Sequence, residues 1–197
     1  MNNGELVEKK RRRIYSIDEI IKLWEAFQAQ PEPVCSIMKM LLICGQRSGV
    51  TRRMQWADVD LKHKIWTIPA EETKANRTHV VPISDMAVEI LKDFEDQFGR
   101  SGYVFKSPTI KDQPVQWLQK ASEWIQVLSG IDDFRVHDLR RTAATYMAKL
   151  GTDRTALGKV LNHKELAGDD HVTEIFDRHN CMKEKRHALG RWATYLN

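Results

Sequence analysis

The feature that decides the interpretation of this chain is the stretch His137-Asp138-Leu139-Arg140, which leads directly into a helical pattern from Thr142 to Leu150. Positions i and i+3 share one face of a helix, so we expect the imidazole of His137 and the guanidinium of Arg140 to point the same way. A helix N-terminus already favours an anion through its free backbone N–H groups. The stretch therefore predicts a helix start that binds an anion.

Three other segments carry residues that suit the same kind of site: Arg47 after a glycine, Lys74 in a polar loop, and His163 after an apolar helix. Arginines grip phosphate oxygens with two parallel hydrogen bonds and neutralise the charge that builds up in phosphoryl transfer. Lysine can protonate a leaving 5′-oxygen, and histidine can serve as general acid or base. Brought together, these groups predict a metal-free phosphodiester site that still lacks a nucleophile.

Plainer interpretations of these residues stay open. The loop lysine and the arginine after the glycine would serve equally as solvated surface groups, and the histidine after the apolar helix could simply be packed. His137 and Arg140 could also bond the neighbouring acidic pair Asp132-Asp133.

Metal chemistry is disfavoured by the spacing of the candidate ligands. His163, His171 and His179 are eight residues apart in each step, unlike the i,i+4 pairs that bind zinc on a helix. Two-metal nucleases need clustered carboxylates, whereas the pair Asp169-Asp170 is better explained as the cap of the following helix. We therefore expect no metal and no other cofactor.

The composition is that of an ordinary globular protein. The 197 residues are 42% hydrophobic and 29% charged, and the net charge of +4 gives a mild bias toward polyanions. No segment is apolar enough to cross a membrane, and the polar N-terminus is not a signal peptide. The three cysteines form no C-x-x-C motif, so we expect a cytoplasmic protein in which Cys35 and Cys44 are core thiols.

We interpret residues 1–13 as a basic linker or tail before the first helix. The run Lys9-Lys10-Arg11-Arg12-Arg13 is either a solvated segment or an arm that binds nucleic acid. Ser16 to Glu19 form a capping box that starts a helix. The apolar stretch 33–45 then predicts a buried helix that Gly45 ends.

Two short strands are predicted next, at residues 63–69 and 78–83, joined by the polar loop 70–77. Ser84 caps a helix that ends near Phe98. Further helices are predicted near residues 51–56, 113–129, 137–150, 153–162, 170–179 and 183–195. The sequence thus predicts one mainly α domain with a small antiparallel β-sheet, an α+β fold.

Five sequence boxes occur in the order that one family shows. They are Gly45-Gln46-Arg47 with Trp56 to Asp60, Lys74 before Val80 to Ser84, His137 to Thr142, Leu161-Asn162-His163, and Thr173 to His179. From Arg13 to Trp192 the chain resembles the catalytic domain of a tyrosine recombinase of the phage-integrase type. We therefore assign residues 14–197 to that domain.

The resemblance implies a set of roles. The catalytic residues would be Arg47, Lys74, His137, Arg140 and His163, with Phe176 at the position of the nucleophile. The predicted DNA contacts are Arg141, Arg178, Lys9, Lys10 and Arg11. In this family a tyrosine attacks a DNA phosphate without metal or nucleotide, giving a 3′-phosphotyrosyl link and a free 5′-hydroxyl, and a second strand reverses the step. Type IB topoisomerases share this chemistry and are an alternative.

The resemblance also implies partners and an architecture. The partner would be a double-stranded DNA attachment site in the nucleoid, on which copies of the chain associate, and without DNA we expect a monomer. Family members usually carry a separate N-terminal core-binding domain, so we interpret the chain as a fragment or a truncated gene.

The segment 183–195 either packs on its own core or docks on a neighbouring protomer. We expect residues 168–182 to be the most mobile, with Gly168 as a hinge.

Two departures from the family pattern bear on activity. Phe176 keeps the ring of the expected tyrosine but has no hydroxyl, and none of the four tyrosines lies in that box. Val50 stands where an acidic residue usually follows the first arginine. We therefore expect no DNA cleavage by this chain, through either an engineered change or natural loss. The alternative function is that of a catalytically silent DNA-binding relic of a prophage integrase.

Overall fold

A computed structural model describes residues 11–74, 76–163 and 174–197 of the chain, the last range with its side chains from 181 onward. The helices are α1 Ile17–Gln28, α2 Val34–Cys44, α3 Ser48–Arg52, α4 Asp85–Phe98, α5 Gln119–Ser129, α6 Val136–Lys149, α7 Arg154–Val160 and α8 Glu174–Leu196. The strands are β1 Val59–Asp60, β2 Ile65–Ile68 and β3 His79–Pro82. The predicted fold, mainly α with a small antiparallel sheet, is confirmed.

The helix boundaries follow from local chemistry at their ends. Ser16 and Glu19 form the predicted capping box, in which the Ser16 hydroxyl accepts from the Glu19 N–H and the Glu19 carboxylate accepts from the Ser16 N–H. Ser84 caps α4 as predicted. Gly45 ends α2 with a φ of +62°, a left-handed conformation that glycine adopts without strain. The caps fix where the chain turns toward the site.

The core is built around α2, which is buried on nearly all sides and packs against α1, α4, α6 and α8. A helix that is apolar all round must be enclosed in this way. The prediction that Cys35 and Cys44 are core thiols is confirmed, because both are buried. Burial raises the pKa of Cys44 to about 12, so this thiol stays protonated. The central helix therefore acts as the scaffold on which the other elements are placed.

The sheet contains the two predicted strands and a third short one. Strands β2 and β3 pair antiparallel, with Trp66 opposite Val81 and Ile68 opposite His79. The additional strand β1 pairs with β2 through Val59 and Trp66. Two residues are too few to show a period in the sequence, so β1 could not be predicted from its pattern.

Four predicted helices differ in their limits. Helices near 170–179 and 183–195 are one helix, α8, and no glycine or proline interrupts residues 176–189. The helix predicted at 113–129 begins only at Gln119, because the N–H of Val115 donates to the Phe105 carbonyl in an extended segment. The turn predicted at 51–56 lies earlier, as α3. The expectations for residues 168–173, including the hinge at Gly168, lie outside the described residues.

The C-terminal helix packs on its own chain. Leu189 and Trp192 are buried, and the Trp192 indole N–H donates to the Leu42 carbonyl at 2.9 Å. The same helix also contacts the sheet, where Lys185 donates to the Val80 carbonyl at 2.9 Å. Among the described residues, no helix combines the length and hydropathy needed to cross a bilayer.

Candidate active site

Arg140 joins the ends of two helices beneath the candidate site. Its Nη1 donates to the Gly45 carbonyl at 2.7 Å and its Nη2 to the Leu161 carbonyl at 2.6 Å. Both carbonyls lie at helix C-termini, which leave acceptors unpaired and carry partial negative charge. The interpretation that Arg140 binds Asp132 or Asp133 is therefore wrong. A guanidinium has five N–H donors, so donors remain for a ligand.

The side chain of Arg140 is nearly enclosed, with 7% of its surface exposed. Burial, together with the charge of Arg47, lowers its pKa to about 10. The group thus remains protonated at neutral pH, and the two carbonyls compensate part of its loss of hydration. The result is a fixed positive charge at the start of the candidate site.

Arg47 lies close to this charge. It precedes α3 and follows Gly45, whose carbonyl binds Arg140. The positive charge of Arg47 lowers the pKa of both His137 and Arg140, which places the three groups within electrostatic range of one another. The half-buried Arg47 side chain makes no hydrogen bond or ion pair with the described residues. Its guanidinium is therefore available to a ligand.

His137 occupies the first turn of α6, three residues before Arg140. Partial burial lowers its pKa most, the charges of Arg141, Arg140 and Arg47 lower it further, and Asp138 opposes them. The imidazole is therefore neutral at neutral pH. A neutral ring can donate one hydrogen bond and accept another, which suits a group that must hand on a proton.

His163 follows a turn that several side chains hold. Asn162 adopts a positive φ of 49°, and the His163 N–H donates to the Gly158 carbonyl at 2.9 Å. Its ring Nδ1 is buried and has no hydrogen-bond partner among the described residues. A buried polar atom without a partner is unfavourable, so this nitrogen keeps an unused hydrogen-bonding capacity.

The remaining predicted residues are not joined to this cluster. Lys74 is exposed in the loop between β2 and β3, and no described hydrogen bond or ion pair links it to Arg47 or Arg140. Phe176 lies in the first turn of α8, but its side chain is outside the described part of the chain, as is that of Arg178. Lys9 and Lys10 are likewise outside it.

Two predicted DNA contacts, Arg11 and Arg141, bind the same carboxylate. Asp138 is 1% exposed, and it accepts from Nε of Arg11 at 2.7 Å and from Arg141. Arg11 also donates to the Asp133 carbonyl at 2.6 Å. In this structure Arg11 is thus held against the start of α6. Whether Arg11 and Arg141 contact DNA stays a prediction.

Sequence reasoning missed the side chains that hold the turn before His163. Gln46 and His79 both place a nitrogen on the Val160 carbonyl, at 2.9 and 3.1 Å. Arg77 donates to the Asn162 side chain at 3.4 Å. The signal that the sequence offered was the place of His79 two residues before Val81, which puts a polar side chain on the inward face of β3.

The described part of the chain holds no group of three or more potential metal ligands.

The family model for the phage integrase family matches residues 12–173. The chain belongs to the phage integrase family. The matched segment contains all five of the predicted catalytic residues other than the nucleophile position, and it ends before Phe176. The match therefore spans the helix ends and turns that carry Arg47, His137, Arg140 and His163.

Curated integrases are similar over part of their length. The integrase of Salmonella phage P22 is 28% identical over 135 residues, which are 64% of this chain and 35% of the relative. Prophage integrase IntZ of Escherichia coli is 38% identical over 88 residues, or 44% of this chain and 21% of the relative. The chain thus spans about a third or less of these integrases.

Solved structures of recombinases share the fold. XerA recombinase superposes with a TM-score of 0.65 at 22% identity, covering 90% of this chain and 67% of that one. A λ integrase(75–356) dimer bound to a COC′ core site gives a TM-score of 0.62 at 18% identity, covering 85% and 64%. These matches place the integrase-family chain in the fold of tyrosine recombinase catalytic domains.

Proposed function

We propose that the chain is the catalytic domain of a site-specific recombinase that holds one DNA phosphodiester between Arg47 and Arg140. The observation that carries this proposal is the convergence of two arginines and a neutral His137 at the end of α2 and the start of α6. Two guanidinium groups that bind no carboxylate among the described residues, beside a neutral imidazole, suit a phosphodiester anion. Membership of the integrase family supports the same conclusion.

The residues would divide the work of a transesterification. Arg47 and Arg140 would bind the two non-bridging oxygens and neutralise charge in the transition state. In the parent reaction a tyrosine oxygen forms a bond to phosphorus while the bond to the 5′-oxygen breaks. The tyrosine hydroxyl gives its proton to a general base, for which His137 and His163 are the candidates, and the leaving 5′-oxygen takes a proton from a general acid, for which Lys74 is the candidate. The product is a 3′-phosphotyrosyl link and a 5′-hydroxyl.

Phe176 would leave this chain able to bind DNA and unable to cleave it. A phenyl ring carries no oxygen that could attack phosphorus. A second candidate function, a catalytically silent DNA-binding protein, is favoured by Val50, which is 8% exposed and packs in the core where an acidic residue usually follows the first arginine. Both functions require the same phosphate-binding arginines.

The partner in this proposal is double-stranded DNA, and copies of the chain would associate on it and separate in its absence. Among proteins of similar fold, XerH is bound to its difH substrate and λ integrase to its core site. The net charge of +4 favours association with a polyanion. The absence of a candidate metal cluster in the described segments does not bear on this binding, which needs arginines alone.

The test restores the missing hydroxyl. The Phe176→Tyr variant, the chain as given, and the double variant Phe176→Tyr with Arg47→Gln are each incubated with supercoiled plasmid at low salt. One cycle of strand cleavage and rejoining releases supercoils, and detergent traps any covalent protein–DNA link, so no attachment site needs to be known. We expect relaxation and a covalent link with Phe176→Tyr alone.

Two results would contradict the proposal. Relaxation by the chain as given would show that Phe176 does not block cleavage. A Phe176→Tyr variant that binds the plasmid but neither relaxes it nor links to it would favour the silent DNA-binding protein.

A further inference from the structure

A buried histidine lies outside the set of predicted catalytic residues. His79 in β3 is 5% exposed, and its Nε2 lies 3.1 Å from the Val160 carbonyl oxygen. Because a carbonyl only accepts hydrogen bonds, this Nε2 must carry the proton. Burial lowers the pKa of His79 most, and the charges of Lys185, Arg140 and Arg77 lower it further, to about 3. The ring is therefore a neutral donor of fixed tautomer.

The carbonyl that His79 binds has a second donor. Gln46 directs its amide nitrogen to Val160 O at 2.9 Å and to Cys44 O at 3.0 Å. A carbonyl oxygen has two lone pairs, so His79 and Gln46 together fill the acceptor capacity of Val160. Both donors are buried, which fixes them in place.

The next carbonyl along the chain binds the catalytic arginine. Leu161 O accepts from Nη2 of Arg140 at 2.6 Å. At the end of α7, the Val160 carbonyl is thus hydrogen-bonded to β3 and to the segment after α2, and the Leu161 carbonyl is hydrogen-bonded to α6. His163 follows two residues later, and its backbone N–H is bound to Gly158. The position of the His163 ring relative to Arg140 depends on these ties.

We propose that His79 and Gln46 are positioning residues that set the His163 ring against Arg140 and Arg47 in the phosphodiester site. The inference rests on the proposed function for its catalytic consequence, and on the hydrogen bonds alone for its structural one. The contrasting possibility is that His79 only fills space in the core. An apolar side chain of similar size would then replace it without effect on His163.

The test compares two substitutions of nearly equal volume in the full chain. His79→Gln keeps an amide nitrogen near the place of Nε2 and can still donate to Val160. His79→Met fills the same space without a donor. Ring 15N–1H spectra report the chemical shifts of His163, whose signals are assigned by their loss in His163→Gln. We expect His79→Gln to retain the His163 shifts and His79→Met to move them.

The same pair is then compared for catalysis in the Phe176→Tyr background. We expect His79→Met to slow covalent-link formation by up to about 100-fold, the loss that a displacement of about 1 Å can cause. DNA affinity should stay within about threefold, because the arginines that bind phosphate are untouched. His79→Gln should recover most of the rate.

Each outcome decides the inference. Unmoved His163 signals in His79→Met, or a His79→Gln variant as impaired as His79→Met, would overturn it. Should Phe176→Tyr itself form no covalent link, the proposed function fails while the spectra still decide the positioning role. Should His79→Met not fold, Gln46→Leu removes the other donor on the same carbonyl and must displace the His163 signals in the same way.

Discussion

Nη2 of Arg140 lies 2.6 Å from the carbonyl oxygen of Leu161, two residues before His163. One guanidinium therefore connects helix α6, whose first turn carries His137, to the turn that carries the second histidine. The other terminal nitrogen of Arg140, Nη1, donates to the carbonyl of Gly45, two residues before Arg47. The arginine that we assign to phosphate binding is also the residue that assembles the site.

Replacing each arginine by lysine should separate these two roles. Lysine keeps the charge but cannot bridge two acceptors in a fixed plane. Arg140→Lys should lower the free energy of unfolding by about 1–3 kcal/mol, because it leaves a buried carbonyl without a donor. Arg47→Lys should change it by less than about 0.5 kcal/mol. Urea unfolding of the two variants measures the difference.

The affinity for duplex DNA is the second quantity to measure for Arg140→Lys and Arg47→Lys. Both lysine variants should weaken binding, since each loses bidentate contact with phosphate. Equal stability of the two variants would contradict the assembling role of Arg140. Unchanged DNA affinity in Arg47→Lys would contradict its role as a phosphate ligand.

Much of the fold could be predicted because its determinants are local. The capping box at Ser16, the cap at Ser84 and the glycine at 45 act within four residues, and each lies where the sequence predicts it. The order of the sequence boxes also predicted the family, and the family match over residues 12–173 confirms it. The roles of the individual site residues stay predictions.

The missed features depend on contacts between distant parts of the chain. Gln46 and His79 bind a carbonyl that is 114 and 81 residues away, and Arg11 binds a carboxylate 127 residues away. No period or motif relates such pairs, so only the folded chain reveals them. For the same reason the sequence predicts a basic linker or tail over residues 1–13, either solvated or bound to nucleic acid, whereas Arg11 and Arg13 bind acidic residues of this chain.

Removing the charge of Asp138 should have opposite effects on stability and on DNA binding. Asp138→Asn weakens the hydrogen bonds from Arg11 and Arg141 to a buried carboxylate, and we expect a loss of about 1–3 kcal/mol in unfolding free energy. The two arginines would then be freer to meet phosphate, so affinity for duplex DNA at low salt should rise. Thermal unfolding and fluorescence anisotropy measure the two effects. A fall in both quantities would show that Arg11 and Arg141 serve the fold alone.

Acid should destabilise the protein through His79. Its pKa is about 3 in the folded chain and near 6.5 when unfolded, so the unfolded state binds the additional proton. Stability from the neutral ring is complete above pH 6.5 and is lost as pH falls from 6.5 toward 3. Between pH 7 and pH 5 we expect a loss of about 2 kcal/mol.

The variant His79→Gln should lack this loss, because glutamine does not titrate. His137, whose pKa burial and neighbouring arginines also lower, contributes in the same direction and remains in the variant. Urea unfolding at the two pH values gives the comparison. An identical pH dependence of the chain and of His79→Gln would show that folding does not lower the pKa of His79.

The most direct test of the phosphodiester site is the salt dependence of duplex binding by the chain and by Arg47→Gln. Each neutralised phosphate contributes about 0.9 to the slope of log affinity against log salt. We predict that Arg47→Gln lowers that slope, by at most about 0.9 because Arg140 still contacts the same phosphate, while the control Lys92→Gln, on the exposed acidic face of α4, leaves it unchanged. Equal slopes for the chain and Arg47→Gln would contradict the assignment of Arg47 and Arg140 to one DNA phosphate.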